Sequence, residues 1–129
     1  MTKKRIMAID DEPGVTRLIK LNLEKTGPYE VLAVNEAESA LAEARQFKPD
    51  LILLDVMMPN MDGGEVAALI GADPLLKDVP IVYLTAIVTR KEVGPAGLSS
   101  GGRRVVAKPI ALKELTDCIE ATLQGQGPC

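Results

Sequence analysis

At 129 residues the chain has the length of one domain built around a single core. Its 47% hydrophobic and 26% charged residues suit a globular protein, and a net charge of −3 argues against nonspecific nucleic-acid binding. It contains no histidine, which excludes Ser-His-Asp chemistry, His-ligated zinc and a phosphohistidine on this chain.

Lys3-Lys4-Arg5 leads into a first apolar run, a strand expected near 4–9 that closes on Asp10-Asp11-Glu12. Pro13 suits a first helical turn, and Glu12 is placed to cap it. Val15, Leu18, Ile19 and Leu23 then recur as one apolar stripe, and Gly27-Pro28 ends that helix. A second strand near 30–34 is the weakest of the set. Asn35 reads as the N-cap of a second helix whose inner face is Ala37, Leu41 and Ala44. The third strand, near 50–54, closes on Asp55. Gly63-Gly64 permits a tight turn into a third helix lined by Val66, Leu69 and Ile70.

The fourth strand, near 80–84, runs into Thr85. The segment after it holds Gly94, Pro95, Gly97, Gly101 and Gly102, so at most two turns of an irregular fourth helix are expected between 89 and 102. A fifth strand, 104–107, leads into Lys108-Pro109, and a last helix near 111–123 turns Leu112, Leu115, Ile119 and Leu123 inward. The domain is therefore placed at 1–123, with 124–129 a flexible tail. Cys118 and Cys129 lack metal-ligand spacing and read as two free thiols. No apolar run approaches the roughly 18 residues of a membrane span, and the expected location is the cytoplasm.

Strand and helix alternate from end to end, which predicts a parallel sheet with helices on both faces. The strands are short and rich in Val, Ile and Leu, as strands buried on both faces should be. In such sheets ligands sit at the C-terminal strand edge. Asp10, Asp11, Asp55, Thr85 and Lys108 all follow apolar runs, so they are expected to converge there. Alone, an acid pair after a strand is as readily a solvated loop. Two carboxylates ~4 Å apart repel by about 4 kcal/mol at an effective dielectric near 20, so gathering three calls for a cation. Magnesium, which takes one or two carboxylates and keeps several waters, suits them. The set reads as a site for a divalent cation and a phosphoryl group.

These residues carry a resemblance. Ile9-Asp10-Asp11-Glu12-Pro13, Leu53-Leu54-Asp55-Val56-Met57-Met58-Pro59, Met61-Asp62-Gly63, Leu84-Thr85-Ala86 and Ala107-Lys108-Pro109 stand in order, at receiver-like spacing. The chain thus resembles, over about 4–123, the response-regulator receiver domains of two-component signalling, of the chemotaxis-regulator kind. The resemblance implies a flavodoxin-like, doubly wound five-stranded sheet in the order 2-1-3-4-5. It implies a switch that takes a phosphoryl group from the phosphohistidine of a partner histidine kinase, or from a phosphotransfer protein, and then binds a downstream protein target.

By the same resemblance Asp55 is the nucleophile and Mg2+ the cofactor. The metal is held by Asp11 directly, Asp10 through water, Asp55 and the Met57 carbonyl. Lys108, the Thr85 hydroxyl, the Ala86 N–H and Met57 receive the phosphoryl oxygens. A cis Lys108–Pro109 bond is implied too. The protein would catalyse its own phosphorylation and slow dephosphorylation rather than turn over a substrate.

Two departures qualify the match. Many receivers carry an aromatic residue where Val105 stands, and valine cannot make the same rotamer swing behind Thr85. Switching is expected instead to order or disorder residues 94–102. Met57 and Ile87, which should flank the hydrolytic water, offer it no good hydrogen bond, so slow loss of the phosphoryl group is expected. The rival readings are a degenerate interaction module that works without phosphorylation, a flavodoxin-like cofactor binder and an aspartyl phosphohydrolase. The complete acid, Asp, Thr and Lys set opposes the first. Asp10-Asp11-Glu12 opposes a phosphate cradle, and Met57 stands where the hydrolase needs a second acid.

Overall fold

The computed structural model describes residues 3–56, 58, 63–85, 104–107 and 110–124. Five strands form one parallel sheet in the order β2-β1-β3-β4-β5, as the resemblance implied. They are β1 (Lys4–Ile9), β2 (Tyr29–Val34), β3 (Leu51–Asp55), β4 (Ile81–Thr85) and β5 (Arg104–Ala107). The helices are α1 (Pro13–Thr26), α2 (Ala40–Phe47), preceded by a 3-10 turn at Ala37–Ser39, α3 (Gly63–Ala72) and α4 (Leu112–Leu123). The irregular fourth helix expected at 89–102, and residues 125–129 of the tail expected at 124–129, lie outside the described residues.

Two cores sandwich the sheet because successive strand residues point to opposite faces. Ile6, Ala8, Leu51, Leu53, Val82 and Leu84 face one way, against Ile19 and Leu23 of α1 and Leu115 and Ile119 of α4. Met7, Ile9, Ile52, Leu54 and Tyr83 face the other, against Ala40 and Ala44 of α2 and Val66 and Ile70 of α3. Each fully buried Leu or Ile contributes about 1.5–3 kcal/mol, and every residue of β3 is buried. Buried alanines on α2 let that helix approach the sheet closely.

Several expectations need correction. Leu18 and Leu69, assigned to inward stripes, are 52% and 46% exposed, because Thr16 and Ala67 take the buried positions instead. Glu12 occupies the N-cap position of α1, but its side chain makes no capping hydrogen bond; its carbonyl accepts from Val15 and Thr16. Asn35 caps nothing: the 3-10 turn begins after Glu36, and the Asn35 amide points back to the β1–α1 loop. Cys118 is buried and disulfide-bonded, against the expected free thiols.

A polar anchor with no sequence signature joins α2 to the turn after α3. Asp73 is buried, accepts a hydrogen bond from the Leu75 N–H at 2.8 Å, and pairs with the Arg45 guanidinium. The Leu75 N–H first, and Arg45 with it, hold the Asp73 carboxyl below its ordinary value. A depressed folded value means its stabilisation is complete above the ordinary Asp range and vanishes as pH falls through the lowered value. Asp73→Ala is therefore expected to lower the thermal midpoint at pH 7. The gap from wild type should close progressively in acid, below the ordinary carboxylate value. Melting curves at a series of pH values check this; a gap that stays constant into strong acid contradicts it.

Candidate functional site

Strand order reverses direction at β1, which has β2 on one side and β3 on the other. The C-terminal ends of β1 and β3 therefore flank the crevice where open α/β sheets bind ligands. Ile9 lies beside Leu54, so the next residues outward are Asp10 on one strand and Asp55 on its neighbour. Asp11 follows in the loop to α1. One carboxylate oxygen from each of Asp10, Asp11 and Asp55 lies within 4.8 Å of the others. Asp10 and Asp55 are buried, at 0% and 4% exposure, and Asp11 is half-buried.

The backbone holds this arrangement on both strands. Asp10 N–H donates to the Val34 carbonyl at 3.0 Å, and one Asp10 carboxylate oxygen accepts from the Glu12 N–H at 2.9 Å. Val56 N–H donates to the Leu84 carbonyl at 3.0 Å, tying the residue after Asp55 to β4. Gly63, the first residue of α3, donates to the Val56 carbonyl at 2.9 Å. A side chain at Gly63 would bring its Cβ to 2.6 Å from the Asp55 carbonyl oxygen. The glycine read as a turn residue is thus required by the close approach of α3 to the end of β3.

Thr85 ends β4 with its backbone beside Ala107, so Thr85 and the residue before Lys108 share the same sheet edge. Val105 pairs in register with Tyr83, two residues deeper in the sheet. Met57, Ala86 and Lys108 lie outside the described residues, as does the Lys108–Pro109 bond.

The donor set fits a hard divalent cation. It consists of carboxylate oxygens alone, the ligand type that Mg2+ and Ca2+ take, without the thiolate or imidazole that softer metals favour. At 4.8 Å and an effective dielectric near 20, each carboxylate pair repels by roughly 3–4 kcal/mol, which a bound cation would offset. The sequence found these acids. It missed Thr16 and Asn35, which contact the loop carrying them, because a Thr inside a helix and an Asn after a strand each have ordinary local explanations.

The chain matches the response regulator receiver domain family over residues 6–120. It is 35% identical over 122 residues to the DNA-binding response regulator MtrA of Mycolicibacterium smegmatis, covering 95% of this chain and 51% of that protein. It is 37% identical over 128 residues to the phosphate regulon transcriptional regulatory protein PhoB of Pseudomonas aeruginosa, covering 99% and 55%. The chain thus spans about half the length of these relatives. Among solved structures, a putative response regulator from Chloroflexus aurantiacus superposes with a TM-score of 0.82 at 29% identity, covering 95% of this chain and 99% of that one. The chemotaxis protein CheY4 of Vibrio cholerae superposes with a TM-score of 0.78 at 26% identity, covering 92% and 98%.

Proposed function

We propose that this chain, which belongs to the response regulator receiver domain family of two-component signalling, receives its phosphoryl group on Asp55. The observation that carries the assignment is the gathering of Asp10, Asp11 and Asp55 at the β1/β3 crevice, with Asp55 the last residue of the fully buried β3. Because this chain has no histidine, a phosphohistidine donor lies on another molecule or domain, that of a histidine kinase or phosphotransfer protein.

An Asp55 carboxylate oxygen attacks phosphorus, forming an O–P bond as the N–P bond breaks, and the departing imidazole takes up a proton. The product is an acyl phosphate, and the task left to the protein is mostly positioning and charge neutralisation. Asp10, Asp11, Asp55 and the Met57 carbonyl would hold Mg2+, which when bound supplies positive charge to the phosphoryl oxygens. Lys108 adds a mobile point charge, and the Thr85 hydroxyl and Ala86 N–H donate to the same oxygens. Phosphorylation then alters binding to a downstream protein. Among the described residues no helix is long and apolar enough to cross a membrane, and the proposed place of action is the cytoplasm, facing the kinase.

Incubation with acetyl phosphate and Mg2+, followed by intact mass, tests the assignment: one phosphoryl group is added, and chelating the metal prevents it. The phosphorylated state is expected to decay slowly, because Met57 and Ile87 cannot orient water. Replacing both with polar residues should speed that decay at least about 10-fold, the lower end of what a positioned general base contributes to water attack being larger still. Equal decay in the variant and the wild type would contradict the assignment of these two positions.

A further inference from the structure

The loop bearing the two β1 acids is held from a direction that the phosphoryl chemistry does not explain. The Asn35 side-chain amide, at the exit of β2, donates one hydrogen to the Asp10 carbonyl at 2.8 Å. It donates its other hydrogen to the Thr16 hydroxyl oxygen at 2.9 Å. Thr16, 1% exposed on α1, donates its own hydrogen to the Pro13 carbonyl at 3.2 Å. Donors and acceptors close consistently: the amide nitrogen carries two hydrogens, and the hydroxyl accepts one bond and gives one. The Asp10 carbonyl can only accept, which sets the orientation of the Asn35 amide.

The register explains why a side chain is needed. Asp10 N–H donates to the Val34 carbonyl, the last rung between β1 and β2. A continuing ladder would next bring the residue 36 N–H to the Asp10 carbonyl, but the chain turns into the 3-10 helix at Ala37. Asn35 supplies the missing donor from its side chain. The acid-bearing loop is consequently tied at Asp10 to β2, and through Asn35 to Thr16 in the first turn of α1.

We infer that Asn35 and Thr16 are positioning residues for the cation site: they fix the backbone of residues 10–13 so that the Asp10 and Asp11 carboxylates are presented beside Asp55 before the metal arrives. The inference rests on reading those acids as metal ligands. Neither residue touches the metal or the phosphoryl group; each acts through the loop. Groups that orient metal ligands in this way typically alter affinity by about 10–100-fold when removed.

The test is Mn2+ affinity, followed by electron paramagnetic resonance, on the full chain as wild type, Asp11→Asn, Asn35→Ala and Thr16→Val, with each variant's thermal midpoint measured in chelator. Wild type should bind, and Asp11→Asn should lose most of that binding. Asn35→Ala should weaken it at least about 10-fold, and Thr16→Val by a smaller factor. In phosphorylation by acetyl phosphate, Asn35→Ala should raise the half-saturating Mg2+ by a similar factor while the rate at saturating Mg2+ stays within about 2-fold of wild type. A purely structural role would lower the metal-free midpoint and leave the affinity of the folded protein unchanged, and that result overturns the inference. Wild-type affinity in both variants overturns it as well. Should Asn35→Ala not fold, Thr16→Val, which keeps the Asn35 bond to Asp10, decides by the same criteria. Failure of the wild type itself to bind would instead overturn the reading of the three acids, and the inference with it.

Discussion

Asp55→Asn is expected to abolish phosphorylation completely. With acetyl phosphate and Mg2+, the wild-type mass should rise by one phosphoryl group, while the variant's mass stays unchanged at any incubation time. The replacement keeps the size and shape of the side chain, so Leu54 and the rest of β3 remain packed. It removes the attacking carboxylate oxygen, because an amide is not a competent nucleophile toward phosphorus at neutral pH. It also takes one of three neighbouring negative charges out of the cluster, so Mn2+ or Mg2+ should bind the variant more weakly. Asp10→Asn and Asp11→Asn provide the contrast. They leave the nucleophile in place, so they should phosphorylate slowly and respond to raised Mg2+. A phosphorylated Asp55→Asn protein would mean that another residue accepts the group, and the assignment of Asp55 would fail.

Gly63→Ala should damage stability and site together. Its new Cβ would meet the Asp55 carbonyl oxygen at 2.6 Å and the Val56 Cα at 2.8 Å. Both are backbone atoms at the end of a fully buried strand, so neither can rotate away as a side-chain tip could. Either α3 retreats from β3, losing the Gly63 N–H bond to the Val56 carbonyl, or the end of β3 shifts and carries Asp55 with it. Overpacking of this kind costs about 1–3 kcal/mol. The expected result is a clear loss in urea or thermal melts and a slower phosphorylation rate.

Gly14→Ala is the matched control. Nothing lies within 4 Å of its added Cβ at its exposed position in the first turn of α1. Exchanging a helical glycine for alanine should therefore be neutral or stabilise by up to about 1 kcal/mol. Equal behaviour of the two variants would show that close packing of α3 on the strand end is not what Gly63 provides.

The two glycines illustrate where reading the chain alone succeeds and where it stops. Locally, Gly63 and Gly14 look alike; only the approach of α3 to Asp55 separates them. Leu18 and Leu69 fell into the stripe by spacing, yet which side of a helix meets the sheet depends on how the helix is rolled in place, and buried Thr16 and Ala67 took the contact. Asn35 met every local criterion for a helix cap, but its amide was drawn to a carbonyl 25 residues earlier in the chain. Asp73 and Arg45 gave no hint of each other, being 28 residues apart with no motif between them.

Periodicity, turn residues and strand-end acids were enough to establish a parallel α/β sheet, its strands to within about one residue at each end, and the three acids of the crevice, because those features depend on neighbours along the chain and on one simple rule of sheet architecture. The receiver resemblance added the strand order. Distances among the carboxylates, the close seat of Gly63, the Asn35–Thr16 tie and the Asp73 anchor came into view only in the folded molecule. Each is a contact between residues far apart in the chain, and the free energy of such a contact depends on packing that no local pattern encodes.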